Sequence, residues 1–365
     1  ARRLARIPTI RLVSTKQQPE LTLGKGQTWH LFNSHIWSTG QDAVAVIKSE
    51  LQLLLPSIRV FLDVDDLEDI GALESYIGRS QVILIFLSRG YFKSKNCLRE
   101  VRAALSRGKP IILVQEADPD KGGGSLEALR SECPEDLQPA IFDADWPLAV
   151  WMRIEDFQRV SLKMIAEALL LQTPAYAKEK SLPLAVPGEV QGQNLGFANP
   201  VLLWASRANP GAKDMADELA AAFTRLTVST MDTPERATHM LLYLNQDTWS
   251  DERLAEQVTA ARAASLPIVM AHENDPSLGG CAFARQFEIT PQELIAGGLY
   301  QDLAVACFAG IHREVSRCLL AKALGARPGR EQEASLRRSL FVRFSRTSLP
   351  AQQQPVDDEE SARRI

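Results

Sequence analysis

The sequence predicts an α/β protein in which a doubly wound parallel sheet of flavodoxin-like order is built twice, and three observations predict it. Short apolar runs alternate with helix-length amphipathic segments from residue 27 onward. The run 82–87 is apolar on both faces, as a central parallel strand covered by helices on each side must be. Residues 84–123 can be laid without gaps on residues 241–280. A chain of 365 residues with 45% apolar composition is long enough for two such cores.

The elements follow in order. An apolar run at 29–32 reads as a strand, and Val44, Ile47, Leu51 and Leu54 mark one face of a helix that stops at Pro56. Residues 59–62 form the next strand, then come an acidic stretch at 63–69 and a small helix around 73–77. The central strand 82–87 leads to a helix at 97–107, a strand at 111–114 after Pro110, and a Gly-rich loop at 122–124. A last strand near 140–142 and a helix at 156–171 close the unit, giving five βα repeats.

Domain boundaries follow from composition. Residues 1–26 read as an extension or linker, 27–172 as the first unit, 173–199 as a Pro- and Gly-rich linker, 200–329 as a degenerate second unit, and 330–365 as a disordered tail with an acidic end. Residues 1–19 hold five Arg or Lys and no acid, which fits either a transit peptide or a linker within a longer protein. The duplication rests on identical anchors. Leu87 matches Leu244, Val101 matches Val258, and Pro110 with Ile111 matches Pro267 with Ile268. Glu116, Asp118, Pro119, Gly122 and Gly123 match Glu273, Asp275, Pro276, Gly279 and Gly280. One difference bears on chemistry: Glu100 aligns with Gln257, an uncharged amide. The second unit also lacks the acidic loop and small helix, running from Met231 through Thr233 and Pro234 to Met240.

Composition narrows the function classes. Forty-one basic against 45 acidic residues give a net charge of −4, so no chain-wide positive field draws the protein to nucleic acid. No apolar run reaches the ~20 residues of a membrane-spanning helix. The five scattered cysteines form no CxxC pair, which points to a reducing compartment and no structural metal.

Three segments of the first unit carry a resemblance. They are the strand-end turn Phe32-Asn33-Ser34-His35; the run Phe61 to Gly71 containing Asp63, Asp65, Asp66, Leu67, Glu68, Asp69 and Ile70; and the stretch Leu87 to Glu100 containing Ser88, Tyr91, Ser94 and Cys97. In order and on the expected elements, they resemble the TIR (Toll/interleukin-1 receptor) domains of immune receptors and of NAD-hydrolysing signalling enzymes. The resemblance covers residues 27 to about 171. It implies a cytosolic signalling module, or the cytosolic part of a larger, membrane-attached protein. Such modules self-associate or dock other TIR domains, and some cleave the nicotinamide-ribose bond of NAD+. NAD+ is then a substrate, with no resident cofactor or metal. The family's catalytic glutamate falls on Glu100. Ser34, His35, Trp37, Asp63, Tyr91 and Asn96 would line the substrate crevice, and residues 65–71 would form an assembly loop.

The chemistry stands on its own footing. Nicotinamide is attached as a pyridinium and leaves neutral, so no general acid is needed, and one carboxylate can stabilise the developing oxocarbenium ion. Two positions depart from the family's pattern: Ile36 stands where active members often carry Arg or an aromatic, and Asn96 replaces a tryptophan. Plainer readings stand beside these. Glu100 near a helix start could simply meet the helix dipole. The acidic cluster could hold Ca²⁺ or Mg²⁺ but lacks EF-hand spacing, and reads better as a solvated docking loop. Trp146 fits a site or interface as well as it fits core packing. The glycines at 122–124 lack P-loop register and read as a flexible turn. His35 could touch substrate or be satisfied by backbone. Two functions remain, an NAD+ glycohydrolase acting through Glu100 after self-association and a non-catalytic TIR scaffold.

Overall fold

The computed structural model describes residues 8–62, 72–232 and 236–328. The first unit comprises β1 (Trp29–Ser34), α1 (Trp37–Leu54), β2 (Val60–Phe61), α2 (Leu73–Gly78), β3 (Ser80–Leu87), α3 (Lys95–Ser106), β4 (Ile111–Glu116), α4 (Leu126–Glu132), α5 (Gln138–Phe142), β5 (Leu148–Trp151) and α6 (Glu155–Leu171). Helix α1 buries Val44, Ile47, Leu51 and Leu54, the three- and four-residue spacing of a single face. All eight residues of β3 are buried, because helices cover both sides of the sheet at its centre. The strands are parallel in the order β2-β1-β3-β4-β5. The direction of winding reverses between β1 and β3, the switch point at whose carboxyl ends open α/β sheets generally take their ligands.

The second unit repeats this plan: β6 (Val201–Ala205), α7 (Ala212–Ala222), β7 (Leu226–Ser229), β8 (His239–Leu244), α8 (Arg253–Ala263), β9 (Ile268–Glu273), α9 (Phe283–Ile289), α10 (Gln292–Ala296), β10 (Val305–Cys307) and α11 (Arg313–Ala323). Its sheet is parallel in the order β7-β6-β8-β9-β10. The ladders agree residue by residue. Ile83 lies opposite Ile111, and Met240 opposite Ile268; Phe32 lies opposite Ile83, and Trp204 opposite Met240. Each unit is three-layered, with one apolar cluster on either side of its sheet.

The duplicated loop after β4 and β9 has a structural explanation. Glu116 and Glu273 are fully buried, and their Oε1 atoms accept the backbone N–H groups of Asp118 and Asp275 at 3.0 and 2.9 Å. Those aspartates then cap a short 3₁₀ turn that opens with proline. Gly122 and Gly279 close it with φ of 85° and 77°. A Cβ on Gly123 would lie 2.6 Å from the Asp118 carbonyl oxygen, and one on Gly280 2.6 Å from the Asp275 backbone. The loop is thus a tightly specified turn, not the flexible one expected from its glycines.

Other expectations change or are decided. Residues 140–142 lie in α5, and the edge strand is β5 at Leu148–Trp151. Pro139 in the first turn starts that helix, and a three-residue apolar run carries no periodicity to separate helix from strand. Trp146 packs against the core and donates its indole N–H to the Ala140 carbonyl at 2.8 Å. The segment 173–199 is packed: Leu182, Leu184 and Val186 are buried in the first core, and Leu184–Ala185 pairs antiparallel with Arg11–Leu12. Within the amino-terminal extension, Ile10 is fully buried and donates its N–H to the Leu54 carbonyl at 3.0 Å. Leu195–Gly196 likewise pairs with Arg327–Pro328. Isolated apolar anchors in aperiodic segments leave no local pattern, so only the fold exposes them. Residues 63–71, which hold the acidic cluster, and 329–365, the expected tail, lie outside the described residues.

Candidate functional site

The site is built where β1, the turn after β3 and α3 converge. β1 delivers Ser34 as its last residue, and Phe32 beneath it stacks on Phe61 at 4.8 Å between ring centroids. After β3, Gly90 takes φ of 86° and turns the chain so that Tyr91 and Phe92 enter the core edge-to-face. Ser94 caps α3 by accepting the N–H of Cys97 at 3.4 Å. The buried Cys97 thiol donates to the His35 carbonyl at 3.3 Å, which ties α3 to the end of β1. Glu100 follows as the sixth residue of α3, on its inward face. It is therefore past the first turn, where the helix dipole acts most strongly on acids.

These elements bring Ser34, Tyr91 and Glu100 together. The Ser34 hydroxyl donates to Glu100 Oε2 at 2.5 Å, and Ser34 Oγ also meets the Tyr91 hydroxyl. Serine has one proton, and an ionised carboxylate only accepts, so the relay runs Tyr91 to Ser34 to Glu100. Burial pushes the Tyr91 phenol well above its ordinary pKa, which keeps that donor protonated. Glu100 itself is only 7% exposed.

The other expected residues are placed differently. His35 is buried beside the site, with its carbonyl engaged by Cys97. Trp37 opens α1 and is 62% exposed. Asn96 is exposed, one helical turn before Glu100. Asp63 and the assembly-loop residues Asp65, Asp66, Leu67, Glu68, Asp69, Ile70 and Gly71 lie outside the described residues.

The same place in the second unit holds a modified copy. Ser206, the ladder equivalent of Ser34, donates to Gln257 Oε1 at 2.5 Å. Thr248 stands in the position of Tyr91, yet its hydroxyl bonds the Asn245 backbone instead of Ser206. The serine contact therefore survives while the negative charge and the phenol are gone.

Sequence reasoning flagged Glu116 and Glu273 as anchors without a role. Glu116 Oε2 pairs with Arg153 at 2.6 Å, and Arg153 also reaches Asp42 at 3.0 Å. Glu273 Oε2 pairs with Arg313 at 2.6 Å, and Arg313 also holds Glu218 at 2.9 Å. Both arginines come from beyond the following strand, so no local spacing joins them to their partners. Among the described residues no helix is long and apolar enough to cross a membrane.

The fold and this site define a duplicated flavodoxin-like α/β protein with a buried carboxylate at the carboxyl end of its first sheet. No family model and no curated protein matches the chain. Among solved structures it is similar to TIR domains. The TIR domain of the Toll-related receptor TRR-2 from Hydra magnipapillata is 16% identical, over 38% of this chain and 96% of that one, with a TM-score of 0.28. The TIR domains of the activated Roq1 resistosome, a structure described as directly recognising the pathogen effector XopQ, are 19% identical over 40% of this chain and 83% of that one, with a TM-score of 0.24. A dinucleotide-forming acetyl-coenzyme A synthetase from Ca. Korarchaeum cryptofilum is 12% identical over 87% of this chain and 66% of that one, with a TM-score of 0.20. None of these likenesses assigns a role to a residue.

Proposed function

We propose that the protein is a TIR-type signalling module whose first unit cleaves the nicotinamide-ribose bond of NAD+, with Glu100 stabilising the transition state. One observation carries the reading: a buried carboxylate, oriented by Ser34 and Tyr91, stands at the carboxyl end of the first sheet, where the duplicate sheet offers an amide. As the C1′–N bond breaks, its electron pair stays with nicotinamide, which departs uncharged. Water then adds at C1′ and loses a proton. Glu100 supplies the negative charge that the ribosyl cation meets, and the relay behind it holds one carboxylate oxygen in place. At 7% exposure the carboxylate has little surface for substrate, so this reading assigns turnover to an assembled state in which the crevice is open. Assembly would use copies of this chain or other TIR domains.

The test is nicotinamide release from NAD+ by the concentrated protein, compared with Glu100→Ala and Gln257→Ala. Release abolished by the first change and kept by the second is expected. Release that survives Glu100→Ala overturns the assignment. The same burial of Glu100 favours a second reading, a non-catalytic scaffold that signals by TIR-TIR docking. Absence of release from assembled wild-type protein selects it.

A further inference from the structure

The two units touch through a small apolar cluster formed by Met152, Phe157 and Val160 of the first and Val315 of the second, with Phe308 packed against it. Phe157 meets Phe308 edge-to-face at 4.8 Å and faces the His312 ring at 6.1 Å. The register of the duplication says which of these positions correspond. Ser161 Oγ accepts the N–H of Met152 at 3.2 Å, donates to the carbonyl of Val150 at 2.6 Å and lies 3.5 Å from the carbonyl of Phe157 four residues before it; Ser316 Oγ accepts the N–H of Phe308 at 3.1 Å and donates to the carbonyl of His312, also four residues before it. In the ladders, Trp151 opposite Glu116 corresponds to Cys307 opposite Glu273, one residue before Met152 and Phe308. Met152 is thus the equivalent of Phe308, Phe157 of His312, and Val160 of Val315.

The same three positions, at the end of the edge strand and on the following helix, therefore meet from both sides. A contact in which equivalent patches face each other is the signature of an isologous, two-fold interface, here between two halves of one chain. We infer that the protein is an internal pseudo-dimer, in which the second unit is the built-in partner of the first unit's α6 face. The degenerate site of the second unit then has a reason to persist without its carboxylate, since the unit's task is to cover that face. Association between chains must use other surfaces.

The 365-residue chain tests this in two ways. A short bismaleimide added to the Val160→Cys and Val315→Cys double variant is expected to join the two positions within one chain, giving a single cross-linked species at monomer mass. Each variant with only one of the two introduced cysteines serves as its control and also reports any reaction through the partly exposed native Cys281. Cross-links only between chains, or none, overturn the intrachain contact. The second test exchanges residues across the axis. Phe157→His alone is expected to lower the unfolding temperature, and Phe157→His with His312→Phe is expected to restore it, because the pair is preserved with its members traded. A double variant that loses the sum of the two single losses overturns the two-fold relation. Neither readout involves NAD+, so this inference and the enzymatic reading fail separately.

Discussion

The crevices of the two units share a backbone and differ in charge. In the first, Ser34 reaches a carboxylate and is itself reached by Tyr91; in the second, Ser206 reaches the amide of Gln257, while Thr248 turns back to its own loop. The comparison teaches that the serine contact belongs to the architecture, because an uncharged partner sustains it equally well. What distinguishes the first unit is a buried carboxylate where the second has an amide, and the proposed chemistry rests on that difference.

The largest effect expected of any substitution tests whether the two units are equally dependent on their buried ion pairs. Glu273→Ala leaves the Arg313 guanidinium, whose side chain is only 15% exposed, with Glu218 as its one remaining partner and takes the acceptor from the Tyr243 hydroxyl, and is expected to cost about 3 kcal/mol in denaturant unfolding. Glu116→Ala is expected to cost less: each arginine keeps one carboxylate, Asp42 or Glu218, but Arg153 is 26% exposed. Equal losses would mean that solvent access to the arginine does not matter.

Next in size, Glu100→Gln gives the first unit the amide of the second while leaving Tyr91 in place. Nicotinamide release is expected to fall by roughly 10²- to 10³-fold, the scale on which single electrostatic stabilisers act. The fold should be unchanged by circular dichroism, because Gln257 already shows an amide in that contact. A variant that keeps most of its activity would remove the charge from the mechanism.

A pH series sharpens the comparison at the contact between units. Burial holds His312 down at about 4, against an ordinary value of 6.5. Its neutral form is the folded one, so its contribution to stability is complete above pH 6.5 and is lost as pH falls toward 4, where the unfolded chain takes up the proton first. His312→Phe, which installs the residue found at the equivalent position of the first unit, should flatten the fall in melting temperature between those limits. His30, held at about 4 by burial and then by the charge of Arg59, leaves a residual slope from the first unit. An unaltered pH profile would show that His312 ionises without cost.

The smallest effect is expected at the fork between Arg99 and Glu74, which joins α2 to α3 on the surface. Both side chains are more than a third exposed, at 42% and 38%. Arg99→Ala should leave the denaturation midpoint unchanged within measurement, in contrast to the buried pairs. A loss approaching that of Glu116→Ala would reverse the ranking.

Much of this was legible in the chain. The helix over Val44, Ile47, Leu51 and Leu54 and the all-apolar central strand announce themselves through period and composition. The identical anchors from Leu87 to Gly123 and from Leu244 to Gly280 announce the duplication, down to matching ladder partners. Ser34, Tyr91 and Glu100 were legible through their motifs, and the structure brings those three together. Trp37 and Asn96 came from the same motifs, and they lie on the exposed surface. A motif records which residue types recur and leaves open which way each side chain points.

What the sequence determined by itself is local and repetitive: the order of strands and helices, the copying of one unit into two, and the exchange of a carboxylate for an amide at position 257. Tertiary structure alone decided which distant groups became buried neighbours. Glu116 finds Arg153 across 37 residues, Ser34 finds Glu100 across 66, and Phe157 of one unit packs on Phe308 of the other. The physical reason is that helix and strand periods are written within a few residues, whereas the burial of a charge or an aromatic depends on the layers that close over it.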